Sequence, residues 1–66
     1  MSMLKVIEVL AESSDSFEDA ARVAVANASA TVRNVKSIYI KDMSGQVTNG
    51  KITSYRVNAK ITFLLE

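Results

Sequence analysis

The stretch from Lys51 to Leu65 constrains this chain more than any other. It reads K-I-T-S-Y-R-V-N-A-K-I-T-F-L-L. Tyr55, Val57, Ala59, Ile61 and Phe63 are apolar, and the residues between them, Ser54, Arg56, Asn58, Lys60 and Thr62, are all polar. Side chains switch faces at every residue of a strand, so this alternation predicts a half-buried β-strand. Typical strands run about five to six residues. A strand this long in a chain of 66 residues offers two faces, with material at hand to cover only one. What meets the other face is the functional question.

A chain of this length is one small domain, residues 1–66. Domains of this size bury only about 60% of their unfolded surface and compensate with disulfides, metals or oligomerisation. With no cysteine and no histidine, disulfides and thiolate metal sites are excluded, and so is the commonest general base. Oligomerisation is the remedy left. A net charge of +1 without a basic cluster is too small a footprint for nucleic acid. No apolar run approaches the roughly 20 residues of a membrane span, and the start, M-S-M-L-K-V, lacks the layout of a signal peptide. These features lead us to expect a cytoplasmic protein.

Four segments can be read. Leu4 to Ala11 is strand-like, and Ser13 to Ser16 is a polar break. Ser16 with Asp19 fits a capping box, and Glu18 and Asp19 sit where the helix dipole favours anions. A helix is expected from Phe17 to Val32, with Phe17, Ala20, Ala21, Ala24, Val25 and Ala28 as its apolar stripe. Asn34 ends it, and strand character resumes from Val35 to Val47. Asn49-Gly50 predicts a two-residue type I′ hairpin. That turn pairs Thr48 with Lys51, Ile40 with Ala59 and Ile38 with Ile61. Ser37 then faces Thr62, Tyr39 faces Lys60 and Met43 faces Arg56. A bulge near Ser44-Gly45 would shift the distal pairs.

The fold class is therefore α+β with order β-α-β-β. The helical crossover and the hairpin together give an antiparallel sheet of order 1-3-2. The helix is expected over Ile7, Val9, Ile38, Ile40, Val57, Ala59 and Ile61. The second face would carry Glu8, Ser37, Tyr39, Lys41, Met43, Arg56, Asn58 and Lys60. Catalysis is not expected, since no phosphate loop, calcium-loop spacing or histidine is present. Glu12, Asp15, Glu18 and Asp19 could hold a hard cation such as calcium where copies meet, or could simply be a solvated helix start.

Taken together, K-V-I-E-V at Lys5 to Val9, S-F-E-D-A-A at Ser16 to Ala21, Arg33, and Y-R-V-N-A-K-I-T-F at Tyr55 to Phe63 resemble the dodecin family over essentially the whole chain. The resemblance implies a hollow homododecamer of cubic symmetry built from trimers. It also implies sequestration of a flavin such as riboflavin or FMN, without catalysis. In flavin-binding dodecins a tryptophan early in the second strand stacks on the ring, and a glutamine in the third strand binds its polar edge. The tryptophan position falls on Ser37, the glutamine position on Arg56, and a frequent arginine on Ser44. Tyr39 adjoins them on the same face. Ser37 cannot stack, so flavin binding is expected to be weakened or altered. A branch without the tryptophan is described as calcium-binding, and no calcium ligand maps onto a particular residue here. Three readings stay open: an altered small-ligand or ion shell, a modified flavin store, and a purely structural assembly. For Arg56 the bland alternative is a salt bridge to Glu8 or to a neighbouring chain.

Overall fold

The computed structural model describes residues 2–65. It has the order β1 (Met3–Ser13), α1 (Phe17–Thr31), β2 (Val35–Thr48) and β3 (Lys51–Leu65). The sheet is antiparallel throughout, with β3 between β1 and β2, which is the expected 1-3-2 order. β1 runs two residues past the expected end at Ala11, and the helix stops at Thr31, with Val32 as its C-cap.

Helix and strand of equal residue count differ in length. The 15 residues of α1 span about 22 Å, while the 15 residues of β3 span roughly 50 Å. The protomer is accordingly 52 Å long and only 19 by 13 Å across. The helix covers part of one sheet face, where Ala20, Ala24 and Ala28 meet Ala11, Val57, Ala59 and Ile61, all buried. The alanine stripe is what allows this close approach. Ile7, Val9, Ile38 and Ile40 border the core as expected. Phe17 closes one end against Tyr55, edge to face at 5.0 Å.

The turn into the helix differs from a simple capping box. Ser16 Oγ accepts the Asp19 N–H at 2.9 Å, which is the expected half of the motif. The Asp19 carboxylate does not reach back to Ser16. It accepts the Ser13 hydroxyl at 2.7 Å, and Ser13 Oγ in turn accepts the N–H groups of Asp15 at 2.9 Å and Ser16 at 3.4 Å. The one donor and two acceptor sites of the hydroxyl are all used, and Ser13 is buried.

Asn49 and Gly50 adopt positive φ of 52° and 76°, as a type I′ turn requires. Thr48 pairs with Lys51, Ile40 with Ala59, Ile38 with Ile61, Ser37 with Thr62 and Tyr39 with Lys60, all as expected. The pair Met43–Arg56 does not form: Met43 lies opposite Val57, and Ser44 opposite Arg56. The cause is two offsetting bulges. The register shifts by one between Gln46 and Val47, leaving Thr53 as an extra residue on β3, and shifts back at Lys41 on β2. The Thr53 hydroxyl donates to the Gln46 carbonyl at 3.4 Å. Between the bulges every β2 side chain exchanges faces relative to the simple register. Met43 therefore lies on the helix side of the sheet, and Asp42 and Ser44 join the second face.

Ser13→Ala should lower stability by about 1–3 kcal/mol, because it strands a carboxylate and two backbone donors. Ser16→Ala should cost about 0.5–2 kcal/mol as a lost N-cap. Urea unfolding at one fixed protein concentration measures both, and an unchanged midpoint for Ser13→Ala would contradict the relay.

Candidate functional site

Val57, Ala59 and Ile61 point into the core, so the residues between them on β3 must project from the opposite face. Arg56, Asn58, Lys60 and Thr62 form its central row. β1 supplies Glu12, Leu10, Glu8 and Val6 beside them, and β2 supplies Ser44, Asp42, Tyr39 and Ser37. All four sequence-derived site positions therefore share this face.

They do not converge on a single point. Ser44 and Arg56 are direct cross-strand partners, and Ser37 and Tyr39 are two residues apart on β2. The β3 partners of Ser44 and Tyr39, namely Arg56 and Lys60, are four positions apart, or about 13 Å. Three concavities lie elsewhere: between α1 and β1 near Ile7 and Val23, between α1 and β2 near Val25 and Ile38, and beside Asn34 and Phe63. None of these is lined by Ser37, Tyr39, Ser44 or Arg56. Within one chain the candidate site is an open sheet surface.

The charges on this surface are partly matched. Arg56 donates from Nε and Nη2 to Glu12 Oε2 at 3.0 and 2.8 Å. Lys41 Nζ lies 3.6 Å from Glu8 Oε2. The intrachain partner of Arg56 is thus Glu12, not Glu8. β1 continues as a regular strand to Ser13, which puts Glu12 directly opposite Arg56, whereas Glu8 is taken by Lys41. Apolar residues interleave with the charges. Tyr39 is 65% exposed and Leu10 67%, and Leu4 and Val6 are also exposed.

Glu12 escaped the sequence reading of this surface, and Asn58, expected on it, carries a feature that the sequence does not show. Glu12 was placed beyond the strand, because Leu10, Ala11, Glu12 and Ser13 show no apolar–polar alternation that would extend it. The Asn58 Oδ1 is shielded from solvent and has no hydrogen-bond partner. Only the assembled neighbourhood of Leu10 and Asp42 makes that visible. A shielded acceptor without a donor costs about 1–3 kcal/mol.

The four acids considered for calcium are separately engaged or apart. Glu12 binds Arg56, Asp19 accepts from Ser13, and Glu18 lies 3.3 Å from Arg22. Among the described residues no three acidic side chains gather as a metal-holding group. Nor is any helix long and apolar enough to cross a membrane.

The fold and this surface define a small β-α-β-β module with one uncovered sheet face. Comparison gives it a family. The Dodecin family model matches residues 3–66, and the chain belongs to the dodecin family. No curated protein sequence matches it. Among solved structures, dodecin from Streptomyces coelicolor is 32% identical, with a TM-score of 0.94 over 98% of this chain and 93% of that one. An arginine-to-alanine mutant of the Thermus thermophilus dodecin is 26% identical, with a TM-score of 0.95 over 100% and 98% of the two chains. Dodecin from Streptomyces davaonensis is 25% identical, with a TM-score of 0.93 over 98% and 96%. A tryptophan-to-phenylalanine mutant of the Thermus protein also matches. That relative therefore carries a tryptophan, a residue type absent from this chain.

The Arg56–Glu12 pair is solvent-exposed, with side chains 40% and 50% accessible. Arg56→Ala should therefore change unfolding free energy by less than about 1 kcal/mol. A loss above about 2 kcal/mol in denaturant titration would mean that Arg56 also supports an interface.

Proposed function

We propose that this dodecin assembles as a homododecameric shell, built from trimers, that sequesters a small ligand by non-catalytic binding. Its flavin affinity is altered from that of the tryptophan-bearing members. The observation that carries the reading is the uncovered sheet face. Exposed Tyr39 and Leu10 there flank charged rows and the unpartnered Asn58 carbonyl, a combination of apolar area and directional polar groups suited to a planar polar molecule. Copies related by symmetry would bring two such open faces together and turn a flat surface into a site.

The composition of the face supports the altered affinity. Ser37 has neither ring nor apolar area, and aromatic stacking contributes about 0.5–1.5 kcal/mol beyond area burial. Arg56 is tied to Glu12 but lies on the rim of the same surface, where its planar fork can pair with a carboxylate or phosphate. Tyr39 is the nearest aromatic residue that could take over part of the stacking. Ser44, opposite Arg56, offers a hydroxyl where a frequent family arginine would add charge. We propose Ser37, Tyr39, Ser44 and Arg56 as ligand contacts on the strength of their shared face.

Fluorescence titration with riboflavin and FMN tests the proposal. Binding should be no tighter than the micromolar range. Ser37→Trp should strengthen it by at least about twofold to tenfold, the stacking contribution alone. Submicromolar binding by the unmodified chain, or no gain with Ser37→Trp, would contradict this account of the site.

A further inference from the structure

The distal half of the β2–β3 hairpin is an arm that extends beyond the helix. Every residue from 41 to 53 is exposed, and the Asn49-Gly50 turn sits at the tip. Thr48 and Lys51 pair directly across that turn. The cross-turn bonds of a two-residue hairpin therefore belong to them, and the Gly50 N–H lies outside the ladder. A Cβ added to Gly50 would meet nothing within 4 Å, so the space beside its nitrogen is open. Asn49 holds a φ of 52°, a left-handed conformation that costs energy for a residue with a Cβ. A segment without buried contacts opens locally at low cost, and opening here also relaxes Asn49.

The other asparagines are placed differently. Asn27 lies within α1 and Asn58 within β3, each followed by an alanine. The next backbone N–H is held in the helix in one case and in the central strand of the sheet in the other. Asn58 Oδ1 is shielded as well. Asn34 is followed by Val35, whose branched side chain crowds its own nitrogen. Only Asn49 combines a free neighbouring nitrogen, a glycine and an exposed turn.

We propose that Asn49 is a site of spontaneous deamidation. The inference rests on the turn alone and is independent of the ligand and assembly readings above. The Gly50 nitrogen gives up its proton to solvent base and attacks Asn49 Cγ. The N–Cγ bond forms, the Cγ–Nδ2 bond breaks, and the leaving nitrogen takes a proton from water to depart as ammonia. Water then opens the succinimide. Attack at Cγ gives aspartate, and attack at the main-chain carbonyl of Asn49 gives isoaspartate. Overall a water is consumed and an ammonia released, with no change of oxidation state. The new carboxylate takes the formal net charge of the chain from +1 to zero. Isoaspartate also routes the main chain through an added methylene. A type I′ turn closes around two ordinary residues with positive φ, so this product loses the Thr48–Lys51 pairing.

Peptide mass spectrometry of the native protein, incubated at mildly acidic and mildly alkaline pH, tests the proposal. The mass gain of an amide-to-acid exchange should appear in the tryptic peptide from Asp42 to Lys51 and fragment to Asn49. Its rate should rise about tenfold per pH unit, because the attacking nitrogen must first lose its proton. Peptides carrying Asn27, Asn34 and Asn58 should stay unchanged over the same period. Asn49→Gly keeps a sequence that type I′ turns accept and should abolish the gain. A gain that survives Asn49→Gly would belong to Gln46 and would overturn the assignment. An intact Asn49 in the native protein, or another asparagine reacting as fast, would overturn it equally.

Discussion

The structure depends on a mismatch of rise. A helical residue advances about 1.5 Å and a strand residue about 3.3 Å, yet α1 and β3 have the same number of residues. One helix therefore covers less than half the length of the sheet it packs on. The alanine stripe brings helix and sheet close and buries Val57 and Ile61 almost completely. The close packing also keeps the core thin, so a large share of the aliphatic side chains stays exposed. Met3, Leu4, Val6 and Leu10 of β1 and Val47 and Ile52 of the arm all stand open. Exposed apolar area on this scale marks interaction surfaces. The protomer is built as a part of something larger.

The two bulges decide what each face presents. They shift the register of five β2 residues, from Gln46 through Asp42, against β3 and then restore it. The outcome separates polar from apolar side chains. Asp42 and Ser44 are turned toward the face that carries Tyr39, Asn58 and Arg56. Met43 is turned toward the helix side, where with Val47 and Ile52 it forms an apolar arm. Without the two bulges Met43 would sit opposite Arg56 and interrupt the polar row of the second face.

Much of this was legible in the sequence, and the physics explains why. The alternation in β3 set its buried residues, the stripe from Phe17 to Ala28 set the helix, and Asn49-Gly50 set the turn. Together these fix the strand order, the pair at the turn and the pairs from Ser37 to Ile40, while a further shift beyond Ser37 sets Val35 opposite Phe63. The middle of the hairpin was not legible. A bulge leaves no compositional mark, and two that offset each other leave the outer pairs looking undisturbed. The relay through Ser13 was hidden for a different reason, because it joins a strand end to a helix start across the turn. On the site, the shared face of Ser37, Tyr39 and Arg56 was readable from period two alone, whereas Ser44 reaches that face only through the bulges. The Arg56–Glu12 pair and the unpartnered Asn58 carbonyl required knowledge of where β1 ends and how closely its side chains approach.

The central claim is that an overhanging sheet makes this chain incomplete as a monomer. Native mass measurement of the unmodified protein across a dilution series tests it most directly. The account predicts one dominant species near twelve times 7.2 kDa, or about 86 kDa, persisting into the micromolar range. A stable, folded monomer or dimer at those concentrations would contradict it.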